Sequence, residues 1–98
     1  MIRHVVMFRW TEGVDDAHVA ATTAAFLLLP GLIPQIQSYA FGRDLGVAPA
    51  NFDYAVTGEF ASVEDFLAYR EHPDHQRLVQ TFVAPYASER VAVQFTVG

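Results

Sequence analysis

Apolar and polar residues alternate along four segments of this sequence, in the pattern typical of strands that bury one or both faces. The first segment, residues 2–10, is built from β-branched and aromatic residues and contains no residue that breaks a strand. Segments of this kind favour extended structure over helix. We therefore expect strands over residues 2–10, 35–44, 52–60 and 89–97.

The segment between the first two strands has apolar residues at helical spacing instead. This spacing predicts a helix over residues 17–29. Asp15 or Asp16 is placed to cap its start, because a carboxylate can accept hydrogen bonds from the first free backbone N–H groups. We expect Pro30-Gly31 to end this helix.

A second helical region precedes the last strand and is interrupted by a proline. Ser62 opens a capping-box-like sequence that predicts a helix from Val63 to about Arg70. Pro73 should end it, because a proline disfavours helical geometry in the residue before it. Asp74 can cap a further helix, which Pro85 stops. This region therefore contains a helix, a break and a second helix.

The predicted order of elements is strand, helix, strand, strand, helix, strand. Four strands with two helical crossovers make an α+β domain, a ferredoxin-like βαββαβ sandwich with both helices on one face of the sheet. Residues 1–98 are expected to form this domain as a single unit.

The other face of the sheet would be exposed in a monomer. It is predicted to be apolar, because the first strand has apolar residues on both faces and the last strand aligns Val91, Val93, Phe95 and Val97 on one face. The chain is also 52% hydrophobic and 17% charged, which is rich in apolar residues for 98 residues. We therefore expect a homodimer in which two sheets pack face to face, a dimeric α/β barrel.

Charge and composition exclude several classes of function. The net charge is −5 and the six basic residues are scattered arginines, so no basic stripe is available for a nucleic acid. The absence of lysine and cysteine excludes side-chain Schiff bases and thiolate chemistry. No apolar run is long enough to span a membrane, and the N-terminus lacks a signal-peptide core. We expect a cytoplasmic protein without nucleic-acid or membrane partners.

Three polar side chains are candidates for chemistry: His75, Tyr69 and His4. His75 has helical spacing to Leu78, Val79 and Phe82, so we expect it on a buried face as a neutral imidazole. Tyr69 lies three residues after Phe66 on the buried side of its helix. If the His4 face of the first strand meets the helices, the three side chains converge. Each also has a structural alternative: His75 as a helix-terminal histidine bonded to a backbone carbonyl, Tyr69 as a core tyrosine bonded to a strand or a water, and His4 as a core histidine that ties strand to helix.

We interpret the other two histidines, His72 and His18, as residues without a chemical role. His72 and His75 could be called a metal pair, but Pro73 breaks the helical geometry that would align them, and no third ligand is evident nearby. We interpret His72 as a turn residue and His18, on a polar helix face, as solvated. No phosphate loop or dinucleotide fingerprint occurs, so neither a metal nor a cofactor is expected.

Three segments resemble the stress-responsive A/B barrel (Dabb) domain family, which includes olivetolic acid cyclase. Residues 2–10 resemble its first strand, with a histidine between hydrophobic residues. Phe41-Gly42-Arg43-Asp44 resembles the end of its second strand, and residues 66–75 resemble its Tyr-x-x-His-Pro-x-His segment. The resemblance covers essentially the whole chain and implies a dimeric α/β barrel.

The resemblance also implies a chemistry. Olivetolic acid cyclase closes a linear polyketide by an aldol condensation, and His75 and Tyr69 match its catalytic histidine and tyrosine, while His4 matches a pocket histidine. This implies a small apolar or aromatic ligand in a pocket between sheet and helices, and cyclisation by acid–base chemistry without a cofactor. Two alternatives stay open: a cofactor-independent monooxygenase of the antibiotic-biosynthesis type, and a non-catalytic structural or stress-associated dimer.

Overall fold

The computed structural model describes residues 1–98 and contains one four-stranded antiparallel sheet with the strand order β2-β3-β1-β4. The element order confirms the predicted βαββαβ arrangement. The bounds are β1 Ile2–Trp10, α1 Asp16–Leu32, β2 Ser38–Arg43, β3 Tyr54–Phe60, α2 Val63–Glu71, α3 Pro73–Leu78, a π-helical segment Val79–Val83, and β4 Ala87–Thr96.

The helices pack on one face of the sheet, and the core lies between the two layers. Val6 of β1 is paired with Val56 of β3 and Ala92 of β4, which fixes the register of the three strands. Alternation along each strand then sends every second side chain toward the helices. The buried hydrophobic core consists of Phe8, Val19, Phe26, Leu29, Ile33, Tyr54, Val56, Phe60, Phe66, Tyr69, Leu78 and Val83.

Helix α1 is longer than predicted, because Pro30 does not end it. The helix continues to Leu32, and the N–H of Ile33 still bonds to the carbonyl of Leu29 at 2.9 Å. Pro30 removes one hydrogen bond, yet Leu29 and Ile33 on either side of it are almost completely buried. Burying two such side chains is worth several kcal/mol, about 1.5–3 each, which offsets the lost bond. The start agrees with expectation, since Asp15 accepts from the N–H of His18.

The second helical region is broken at Pro73 as predicted, but the cap of its second helix is a different residue. His72, and not Asp74, is the N-cap of α3, and its Nδ1 accepts from the backbone N–H of Asp74 at 3.1 Å. Asp74 instead accepts from the guanidinium of Arg77 at 2.8 Å. The cap of α2 is the predicted one, with Ser62 Oγ bonded to the N–H of Asp65.

Strand β2 is shorter than the predicted segment of residues 35–44. Its beginning is taken up by a turn in which the N–H of Ile36 bonds to the carbonyl of Ile33. Strand β3 also starts two residues later than predicted, and β4 is displaced toward the N-terminus, at Ala87–Thr96. These shifts change the ends of the strands and leave the inward-facing residues unaltered.

Strand β4 is an edge strand, and the helix layer leaves its inner face open. Arg90, Ala92 and Gln94 point toward the helix side, since they pair with the inward-facing residues of β1, yet all three are exposed. An open space therefore remains between β4 and the helical segments that face it.

The outer face of the sheet carries apolar side chains in contact with solvent, as predicted. Met7 is 38% exposed, Val91 43%, Val93 55% and Phe95 45%. Val93 is paired with Val5, and Val91 is paired with Met7, so these side chains form one continuous patch. The helices of the chain are all too short or too polar to cross a lipid bilayer.

Candidate functional site

A cleft of about 430 Å³ lies between the inner faces of β1 and β4 and the helical segments opposite them. All three predicted site residues line it: His4 from β1, Tyr69 from α2 and His75 from α3. Its size is within the ordinary range for a small-molecule site, about 300–1,000 Å³. The structure therefore brings the three side chains together, as the sequence predicted.

Tyr69 lies at the centre of the three. Its ring centroid is 4.3 Å from that of His75 and 6.1 Å from that of His4. The ring is almost fully buried, because Tyr69 faces inward one helical turn after Phe66. Burial raises the pKa of Tyr69 to about 12, so the hydroxyl keeps its proton at neutral pH.

The hydroxyl of Tyr69 is hydrogen-bonded to that of Tyr39 at 2.6 Å. Burial, together with the neighbouring Tyr69, raises the pKa of Tyr39 strongly, so this phenol is protonated as well. Tyr39 does not line the cleft. A proton donated by Tyr39 to Tyr69 leaves the O–H of Tyr69 free to donate into the cleft.

Sequence reasoning missed this role of Tyr39. The one signal is its place on the inward face of β2 beside Phe41, which indicates burial but not its partner. The pairing depends on register, since Tyr39 lies opposite Gly58 of β3. A Cβ at Gly58 would lie 3.1 Å from Cδ1 of Tyr39, so the glycine provides the space that the tyrosine ring occupies.

His75 is held by the end of the preceding helix. Its Nδ1 lies 3.0 Å from the carbonyl oxygen of Arg70. A carbonyl can only accept, so Nδ1 carries the proton and Nε2 of the neutral ring does not. Burial lowers the pKa of His75, the bond to Arg70 opposes that shift, and the charge of Arg90 adds to it. Nε2 has no partner in the chain and is not sealed from solvent, and the His75 residue lines the cleft.

His4 is oriented by β4. The side-chain nitrogen of Gln94 lies 2.9 Å from Nδ1 of His4 and can only donate, so the ring proton of His4 is on Nε2. Burial, and secondly the neighbouring His75, lowers the pKa of His4 to about 4. Its ring packs against Phe66 at 4.9 Å. His4 is therefore a neutral donor in the wall of the cleft, and Gln94 is a supporting residue that sequence reasoning did not find.

His18 is not solvated, contrary to the prediction. Its Nε2 lies 2.9 Å from the carbonyl oxygen of Phe82. Its ring centroid lies 4.0 Å from that of Tyr86 and 5.3 Å from that of Trp10. The carbonyl belongs to the last turn of the π-helical segment, where backbone acceptors lack partners within the helix. His18 therefore links α1 to this segment, outside the cleft.

His72 and His75 have separate local roles. The Nδ1 atom of His72 is engaged by the start of α3, and that of His75 by the end of α2. No group of three or more histidine, aspartate or glutamate side chains is arranged to hold a metal ion.

The sheet, the one-sided helix layer and the cleft beside an edge strand define a ferredoxin-like α+β protein. More specifically, the chain belongs to the stress responsive A/B barrel domain family, whose family model matches residues 2–97. The resemblance inferred from the three sequence segments is thereby confirmed.

Similar proteins are known in bacteria and plants. An uncharacterized protein of Streptomyces coelicolor is 32% identical over 78 residues, which cover 78% of this chain and 80% of that protein. A dimeric ferredoxin-like protein of unknown function from Thermobifida fusca has a TM-score of 0.91 and 42% identity, over 98% of this chain and 90% of that one. The hydroxynitrile lyase of Passiflora edulis has a TM-score of 0.86 and 23% identity, over 99% and 93%. The likeness to the lyase concerns the fold alone.

Proposed function

We propose that this protein is a cofactor-independent enzyme that binds a small keto or thioester compound in the cleft and cyclises it by acid–base chemistry. The main observation in support of the proposal is the protonation state of the His75 imidazole. His75 lines the cleft with its Nδ1 bonded to the Arg70 carbonyl, so its Nε2 is unprotonated, and its ring centroid lies 4.3 Å from that of Tyr69, whose hydroxyl is protonated. A base and a hydrogen-bond donor side by side are what enolate formation needs.

In the first step Nε2 of His75 takes a proton from a carbon next to the carbonyl group. The electron pair of the broken C–H bond forms the C=C bond of an enolate, and the carbonyl π pair moves to oxygen. Tyr69 donates a hydrogen bond to that oxygen as its negative charge develops. The lowered pKa of His75 keeps the base unprotonated at neutral pH.

In the second step the enolate carbon forms a bond to a second carbonyl carbon of the same molecule. The oxygen of that second carbonyl takes the proton back from His75, so the acid–base cycle closes without any cofactor. The lowered pKa of His75 favours this return as well, since a weaker base makes a stronger conjugate acid.

His4 has a positioning role in this scheme. Its Nε2–H is a neutral donor in the same wall, fixed by Gln94, and it can hold a substrate oxygen without adding a charge. The remainder of the cleft is mostly apolar and suits an aliphatic or aromatic substrate, since ten of its seventeen lining residues are hydrophobic.

The cleft also counts against a purely structural role for the three residues. Such a role predicts side chains packed together in a filled interior. The space of about 430 Å³ beside His75 supports a ligand instead.

The proposal includes a homodimer formed through the outer face of the sheet. The continuous patch that includes Val93 and Phe95 supports it, because monomers rarely leave so much apolar surface in water. The relative from Thermobifida fusca, at 42% identity, is described as dimeric.

The test is cyclisation of poly-β-ketone thioesters by the wild type and by His75→Asn. The asparagine amide can keep the bond to the Arg70 carbonyl, yet it has no basic nitrogen in place of Nε2. We expect turnover to fall by about 10²–10⁴-fold, the usual contribution of a general base. Unchanged turnover in His75→Asn would remove His75 from the mechanism. Leu45→Ala, in an exposed loop away from the cleft, is the control and should retain full activity.

A further inference from the structure

The charged residues of the chain are distributed unevenly around the cleft. Its wall contains Arg70 from α2 and Arg90 from β4 and not one aspartate or glutamate. The chain as a whole has eleven acidic and six basic residues. The two histidines of the wall are neutral at pH 7, because their pKa values are lowered. The only residues of the lining that carry a side-chain charge at pH 7 are therefore these two arginines.

These two arginines also differ from the other four in lacking a counterion. Neither Arg70 nor Arg90 makes an ion pair, and no acceptor in the chain is hydrogen-bonded to either guanidinium group. The other four form ion pairs at distances of 2.8–3.5 Å: Arg3 with Glu59, Arg9 with Glu89, Arg43 with Asp16, and Arg77 with Asp74. In an acidic protein, the two arginines without a partner are the two at the cleft.

Both arginines belong to the part of the cleft that holds the proposed base. Arg70 follows Tyr69 in α2, and its carbonyl is the one that orients His75. Arg90 comes from the opposite wall, where it is paired with Phe8 across the β1–β4 ladder. Its charge is close enough to His75 to lower the pKa of the imidazole. The two arginines thus line the cleft from opposite walls.

Solvent-exposed arginines are common, and water alone can satisfy a guanidinium group. Two positive charges facing one partly enclosed space are a less favourable arrangement, because each raises the electrostatic cost of the other. An anion between them relieves that cost and gains charge-assisted hydrogen bonds. The planar, forked guanidinium group is also the side chain best matched to carboxylate and phosphate oxygens.

We infer that the cleft binds an organic anion, and that Arg70 and Arg90 hold its carboxylate or phosphate group while its carbonyl lies beside Tyr69 and His75. The position of the carbonyl rests on the proposed function. The anion site itself does not. The substrate class is thereby narrowed to acidic compounds, either keto acids or thioesters that carry a phosphate.

The test uses probes that need no turnover: benzoate, phenyl phosphate and neutral benzamide, titrated by NMR at low ionic strength. We expect both anions to bind the wild type at least tenfold more tightly than benzamide. Arg70→Gln and Arg90→Gln should each weaken anion binding about five- to tenfold and leave benzamide binding unchanged. A stronger preference for phenyl phosphate assigns the site to a phosphate, and a stronger preference for benzoate assigns it to a carboxylate.

Arg43→Gln is the matched control, since it makes the same charge change on the exposed Arg43, which does not line the cleft. It should leave all three affinities unchanged. Equal affinities for benzoate and benzamide in the wild type would overturn the anion site. The anion site would also be overturned if Arg43→Gln weakened anion binding as much as Arg90→Gln does, because such a loss would indicate a general effect of the protein's charge. Neither result bears on the proposed role of His75 as a base, which the cyclisation assay tests separately.

Discussion

The hydroxyl oxygens of Tyr39 and Tyr69 lie 2.6 Å apart, in a hydrogen bond that joins β2 to α2 behind the cleft. Of the two, only Tyr69 lines the cleft, so the hydrogen bond connects the wall of the cleft to the core. The hydrogen bond fixes the position of the Tyr69 hydroxyl, and with Tyr39 as the donor the proton of Tyr69 is free for another acceptor. The roles of the two tyrosines can therefore be distinguished by mutating each one separately.

Tyr69→Phe and Tyr39→Phe are predicted to affect different properties. Tyr69→Phe removes the donor to the enolate oxygen, and turnover should fall by about 10²-fold. Tyr39→Phe leaves that donor in place, so turnover should change less than about fivefold. The free energy of unfolding should fall by about 1 kcal/mol with the lost hydrogen bond. Cyclisation rates and urea unfolding measure the two effects. Equal losses of turnover would contradict a direct role for Tyr69.

Gly58→Ala should destabilise the protein by overpacking. The added Cβ would lie 3.1 Å from Cδ1 of Tyr39 and 3.2 Å from Cε2 of Phe60, closer than ordinary contact. We expect a loss of about 1–3 kcal/mol in the free energy of unfolding, measured in urea. Gly31→Ala in α1 is the control, because a Cβ there meets no atom within 4 Å. It should be neutral or stabilising by up to about 1 kcal/mol.

The buried His4 predicts an acid-dependent loss of stability. Its pKa is about 4 in the folded protein, against 6.5 for a histidine exposed to water, as it is in the unfolded chain. Between these two pH values the unfolded chain binds more protons, so the free energy of unfolding falls as the pH falls. The contribution is fully present above about pH 6.5 and is lost on the way to about pH 4. It amounts to about 3 kcal/mol.

Urea unfolding of the wild type and of His4→Gln, at a series of pH values from about 7 to about 4, measures this contribution. Carboxylate protonation affects both proteins alike. The difference between their slopes of unfolding free energy against pH therefore measures the contribution of His4. The His4→Gln protein should lose less stability over this window. Parallel pH profiles would contradict the assigned burial of a neutral His4.

The proposed dimer is tested by a charge placed on the outer face of the sheet. Val93→Glu would put a carboxylate at the centre of the apolar patch, where a partner sheet would leave it buried without a counterion. Light scattering at micromolar concentration should give twice the chain mass for the wild type and the monomer mass for Val93→Glu. Leu27→Glu, on the exposed side of α1, should stay dimeric. A monomeric wild type would contradict the dimer.

Much of the fold follows from local patterns in the sequence. Alternation placed His4 on the inward face of β1, and helical spacing placed Tyr69 and His75 on the faces that meet it. Their convergence was therefore predictable once the helices were assigned to one side of the sheet. The continuation of α1 through Pro30 was not, because it depends on the burial of Leu29 and Ile33 by other elements.

The missed contacts depend on register and on distant segments. His18 meets the carbonyl of Phe82, 64 residues away, in a π-helical segment that the sequence did not predict. Tyr39 reaches Tyr69 because its ring fits over Gly58 in the β2–β3 ladder. Arg90 faces the cleft because the helix layer does not cover β4. None of these relationships has a periodicity that could be recognised in the chain.

In the proposed mechanism, Nε2 of His75 removes a proton from a carbon next to a carbonyl group. Deuterium incorporation from D₂O into a β-keto thioester that cannot cyclise, followed by NMR, measures that step alone. The wild type should exchange the proton between the two carbonyl groups well above the uncatalysed rate, and His75→Asn should not. Equal exchange rates in the two proteins, or a wild-type rate no faster than that in buffer, would contradict the role of His75 as the base.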